Sequence, residues 1–178
     1  MKKSIIQGFT LIELLIVIAV MAILTTVVFV ALNPLARFQD ARNSTRWSDV
    51  NAIMAAIKLN QIDHGGTYID TIDALDSTTV GNYYQIGTAL SGCDISCFCA
   101  AEDCAGTDLL LESACIDLTN LVETGYLPSV PFDPSDKDAS SEGTRYYLSK
   151  DEFGRITIGS CGEEAGLGNQ APDIVITR

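Results

Sequence analysis

Histidine is almost missing from this 178-residue chain: His64 is the only one. It stands beside Gly65 and Gly66, where it reads as a capping or surface residue rather than a catalytic base. No G-x-S-x-G segment occurs, so the nucleophile, base and orienter of a hydrolase have no material to be built from. No G-x-G-x-x-G turn and no P-loop occurs either, which leaves nucleotide chemistry without support. The chain is therefore read as non-enzymatic. Positive charge is also scarce, with 11 Lys and Arg against 23 Asp and Glu and a net charge of −12. Two of the basic residues, Lys2 and Lys3, fall in the first few positions, so the remainder is more acidic still. Such a surface repels phosphate backbones, and non-specific nucleic-acid binding is not expected.

What the chain has in abundance is one apolar run. Residues 14–32 hold no charged side chain, and only Thr25 and Thr26 interrupt the hydrocarbon. As a helix at about 1.5 Å per residue, residues 9–32 reach across the ~30 Å core of a bilayer. The run is too long for an ordinary secretory signal. Phe29 also spoils the small-x-small pattern before Ala31. A plain anchor fits the length but gives no reason for Glu13, since a charge near the middle of such a helix costs about 2.5–3.5 kcal/mol and less near the interface.

The stretch "KKSIIQGFTLIELLIVIAVMAIL" resembles the class III leader of type IV pilins and of the related pseudopilins of type II secretion and competence systems. That resemblance implies a leader of residues 1–8, cut after Gly8 by a prepilin peptidase that then methylates the new amine of Phe9. Residues 9–32 would form the transmembrane and filament-core helix. Residues 33–178 would form the exported head, including the second half of the long helix. Implied partners are identical or related subunits in a helical filament and an inner-membrane assembly machinery. The precursor would cross the inner membrane once with its N-terminus in the cytoplasm, and the mature form would lie in a cell-surface or periplasmic filament. Cleavage would also give Glu13 a purpose. A neighbour's protonated Phe9 amine compensates its carboxylate when helices pack side by side, and a subunit out of register would bury both charges alone.

Further along, Asn33-Pro34 is expected to kink or unwind the helix. Beyond it Trp47, Val50, Ile53, Met54 and Ile57 recur at helical spacing as a core stripe, with Arg46, Asp49, Lys58 and Asn60 outside it, up to a stop at Gly65-Gly66. Arg37, Arg42 and Arg46 follow the span on its proposed outer side, against a simple positive-inside count. The run from Ala41 to Tyr68 and the succession "GYLPSVPFDP…RYYLS…GRITIGS" again resemble pseudopilins. Residues 83–86 read as a strand, 109–125 as a helix tethered by Cys115, 145–148 and 155–158 as a hairpin about Asp151 and Gly154, and 173–177 as a last strand. The expected fold is α+β and pilin-like, a long N-terminal helix against a small antiparallel sheet with a disulfide-braced head.

Six cysteines follow the apolar run: Cys93, Cys97, Cys99, Cys104, Cys115 and Cys161. Their spacing contains no C-x2-C pair and no nearby histidine, so three disulfides are expected rather than zinc, with the pairing left open. The acidic loop "DPSDKDASSEG" offers Asp133, Asp136 and Asp138 as calcium ligands. It starts like an EF-hand but lacks the glycine at position six, and a solvated loop competes with that reading. Some pseudopilins hold calcium in the loop after this Asp-Pro, and no other cofactor is expected. The favoured function is a structural subunit of a type IV pilus-like filament. A pseudopilin and a membrane-tethered domain that never polymerises are the rivals.

Overall fold

The computed structural model describes residues 8–75, 83–93, 114–168 and 171–178. Helix α1 spans Leu11–Leu32 and α2 spans Pro34–Asp63. The expected interruption sits between them at Asn33, whose φ of 41° and ψ of 70° place it in the left-handed region. Asparagine tolerates that region better than most residues, and Pro34 then opens α2 at the position where a missing N–H costs nothing. At its far end, Gly65 takes φ of 70°, the Gly66 amide donates to the Gln61 carbonyl at 2.8 Å and the Gly65 amide to Ile62. This is a Schellman closure, which satisfies the carbonyls that the last turn leaves free.

Four antiparallel strands form one sheet in the order β1-β2-β3-β4: β1 Tyr84–Gln85, β2 Tyr146–Lys150, β3 Ile156–Ser160 and β4 Val175–Thr177. The β2–β3 hairpin closes on Asp151, whose Oδ1 accepts from the Phe153 and Arg155 amides while Gly154 supplies φ of 76°. Tyr147 pairs in register with Gly159, and its ring lies where any side chain at 159 would have to go. The opposite face carries Tyr146, Leu148, Ile156 and Ile158, which meet Val50, Ile53, Met54 and Ile57 of α2 in one core. Each of these apolar side chains stabilises the fold by about 1.5–3 kcal/mol on full burial.

Two short helices, α3 at Asp70–Asp73 and α4 at Thr119–Glu123, close the core from its edges with Ile72 and Leu121. The expected helix over 109–125 is corrected here. Its described part is helical only in α4, and the preceding residues form strand-like contacts instead. Ile116 bridges Ile86 in parallel, the Cys115 amide donates to Ala89, and the Ile116 amide donates to Gln85. Those long-range bonds claim backbone groups that a local helix would have used.

Candidate functional site

The chain's start carries a small polar device on an otherwise apolar helix. Thr10 is the N-cap of α1, with extended backbone angles of −86° and 150°. Its amide and hydroxyl donate to Glu13 Oε2 at 2.9 and 2.8 Å, and its hydroxyl accepts from the Glu13 amide at 3.3 Å. This reciprocal capping box satisfies two donors that the helix start leaves free. The Gly8–Phe9 bond lies upstream of the helix, and Phe9 is 79% exposed. A peptidase needs such an unfolded, reachable bond. No residue of α1 is buried, and among the described residues only the helix that begins with α1 is long and apolar enough to cross a membrane. Sequence reasoning named Gly8, Phe9 and Glu13 but missed Thr10, although Thr10-x-x-Glu13 is the capping-box pattern itself.

A second polar cluster holds the head to α2. Arg46 was expected outside the buried stripe and is instead fully buried, as is most of Asn60. Its Nε donates to Asp133 Oδ2 at 2.7 Å and its Nη2 to Asp133 Oδ1 at 3.0 Å and Ser135 Oγ at 2.6 Å. Nη1 donates to Asn43 Oδ1 at 2.7 Å and Glu164 Oε2 at 3.1 Å. Burial pulls the Arg46 guanidinium down, but its bonds to Asp133 and Glu164 outweigh that and raise it. Burial likewise pushes the Asp133 carboxyl up, while Arg46 and the Ser135 amide hold it below the usual carboxylate range. Glu164 is lowered chiefly by its bond to Arg42. So two of the arginines that strained the charge rule are bound into the head by carboxylates. Nearby, Tyr146 donates to Asp49 at 2.7 Å, and burial raises both groups.

His64 ends α2, with Nδ1 2.8 Å from the Asn60 carbonyl. Cys93 and Cys115 form a disulfide with Cα atoms 5.3 Å apart, and Cys161 is disulfide-bonded as well. Cys97, Cys99 and Cys104 lie outside the described residues. The three candidate calcium ligands are drawn to other partners: Asp133 to Arg46, Asp136 to Arg145 Nε at 2.7 Å, and Asp138 to Lys137 at 3.6 Å. Among the described residues no three His, Cys, Asp or Glu side chains are grouped to hold a metal ion.

Residues 4–29 match the family model of the prokaryotic N-terminal methylation motif. No curated protein and no solved structure matches the chain. The matched segment takes in the Gly8–Phe9 bond, the Thr10–Glu13 cap and most of α1, and this motif, the class III signal peptide of type IV pilins, supports a pilin-like or pseudopilin protein.

Proposed function

We propose that this protein is a prepilin, cut after Gly8, methylated on Phe9 and polymerised through α1 into a filament. The observation that carries the reading is the coincidence of the methylation motif at residues 4–29 with a 22-residue helix that buries nothing in its own head. Left in water, each large apolar side chain on that helix forgoes about 1.5–3 kcal/mol of burial. A bilayer first and a fibre core later both remove that penalty. Within a fibre, Glu13 pairs with the Phe9 amine of a neighbouring subunit, a charge that exists only after cleavage. The pair acts on register more than on net stability, because an unmatched buried charge is what the assembly avoids.

The Leu127-Pro128 to Asp133-Pro134 segment, similar to that of pseudopilins, favours a short secretion pseudopilus as the second reading. Filaments seen outside cells would decide for the pilus, and their confinement to the periplasm for the pseudopilus. The primary test is the intact mass and N-terminal residue of protein recovered from cells. A chain beginning at N-methylated Phe9 is expected. A chain still beginning at Met1 would leave a plain anchor and end the prepilin reading.

A further inference from the structure

Residues 161–168, a strap that follows β3, run across the start of α2 and are tied to it side chain by side chain. Arg42 Nε donates to Glu164 Oε2 at 2.6 Å. Asn43 donates to the Glu164 carbonyl at 2.7 Å and accepts from the Glu164 amide at 3.1 Å. Asp40 Oδ1 accepts from the Leu167 amide at 3.4 Å. One carboxyl in this strap has no place in the scheme. Glu163 Oε2 is shut off from solvent and has no hydrogen-bond partner among the described residues.

Stoichiometry explains the orphan. A guanidinium has five N–H donors, and Arg46 spends all of them on Asp133, Ser135, Asn43 and Glu164. Arg42 is committed to Glu164. Two cations therefore face two carboxylates, and the cluster is balanced without Glu163. An ionised Glu163 would add a further negative charge with no cation left to receive it, beside Asp173 on the approach to β4. Helix α2 adds only Asp40 and Asp49 to its two arginines here, and β2 offers Tyr146, whose hydroxyl is already given to Asp49. Its own amide and that of Ile174 donate to the carboxyl, but the buried Oε2 receives nothing, and a charge shared with such an oxygen is costly, so the neutral form is the one this site fits.

We propose that Glu163 is a proton-controlled latch: protonated, it lets the strap lie closed on α2, and its ionisation loosens the strap. Burial pushes its carboxyl up to about 7, with Asp173 adding to the rise while its own amide, Arg46 and the Ile174 amide oppose it. The folded value lies above the ordinary 4.5, so the stability that Glu163 contributes is full below 4.5 and is lost as pH rises through about 7. The inference concerns the head alone and stands whatever becomes of the filament reading.

The test uses the full chain in detergent micelles, melted between acid and mildly alkaline pH, for wild type and Glu163→Gln. Relative to the variant, the wild-type folding constant should fall by roughly ten- to a hundredfold as pH rises from about 5 to about 8. Hydrogen exchange of the strap amides, corrected for its intrinsic pH dependence, should quicken over the same interval in wild type only. Parallel melting curves would overturn the latch. Should the variant fail to fold, a carbon-detected NMR titration of the wild-type Glu163 carboxyl decides. A midpoint above roughly 6 supports the latch, and one near the ordinary carboxylate range overturns it.

Discussion

Replacing Arg46 by methionine removes the one cation that faces Asp133 in the interior while keeping an unbranched, apolar stem. Both side chains of the pair are fully buried. Without Arg46, Asp133 Oδ2 loses its partner, whereas Oδ1 keeps the Ser135 amide and hydroxyl and the Asp136 amide. Glu164 keeps Arg42, so the damage falls mainly on one stranded carboxylate. Breaking a buried pair from one side costs about 3–5 kcal/mol, which for a chain of this size lowers the melting temperature by roughly 10 °C. Trp47, the next residue on α2 and the only tryptophan, is the natural fluorescence probe for melts of the full chain in micelles. Asp133→Asn supplies the decisive comparison, since an amide oxygen can still accept from the turn amides but carries no charge. It should destabilise wild type and restabilise Arg46→Met. The wild-type Asp133 carboxyl is depressed, so its stabilisation is present above 3.8 and lost as pH falls through its folded value. The deficit of Arg46→Met should therefore shrink on acidification. A loss under about 1 kcal/mol, or an Asp133→Asn effect equal in both backgrounds, would refute the reasoning.

Other substitutions probe the same head. A Cβ at Gly162 would stand 2.5 Å from Asp133 Oδ2, which Arg46 pins in place, so Gly162→Ala should cost about 1–3 kcal/mol in thermal melts. Gly168→Ala, with open space around it and no left-handed φ, should stay within about 0.5 kcal/mol and serves as the control. Replacing Cys93 and Cys115 together by serine releases a cross-link of 22 residues and should cost roughly 3 kcal/mol in denaturant titrations under oxidising conditions. An unchanged midpoint would mean that the Ile86–Ile116 bridge holds the segment unaided.

What could be read from the chain, and what could not, follows the range of the forces involved. The apolar run, the break at Asn33-Pro34, the stripe from Val50 to Ile57 and the hairpin about Asp151 are written in neighbouring residues, and the structure has all of them. Trp47 is the exception within the stripe, since it stays 38% exposed. Arg46 was misjudged because a charge next to an apolar stripe usually faces water. Its true partner lies 87 residues away, beyond any local pattern. Over residues 114–118 the expected helix failed for the same reason: Gln85, Ala89 and Cys93 take up the backbone and the thiol there. Thr10 is a different kind of miss. Its signal is local, the T-x-x-E pattern in which Glu13 both caps the helix start and carries charge.

On the proposed assembly Glu13 has two uses that a single substitution would confuse. As the third helical residue it closes the cap with Thr10, a task in which glutamine serves as well as glutamate. As the partner of a cleaved Phe9 amine it must carry charge, which glutamine cannot. Glu13→Ala removes both functions, and Glu13→Gln removes only the second. Cleavage after Gly8 should survive in either variant, since the scissile bond lies upstream of the cap and a mass shift of the recovered chain reports it directly. Incorporation into filaments beside wild-type subunits should fall sharply in both if charge pairing sets register. Filament yield would be restored by glutamine but not alanine if the cap were the whole purpose of the residue. That second result would remove Glu13 from the assembly mechanism and leave it as the closing group of α1.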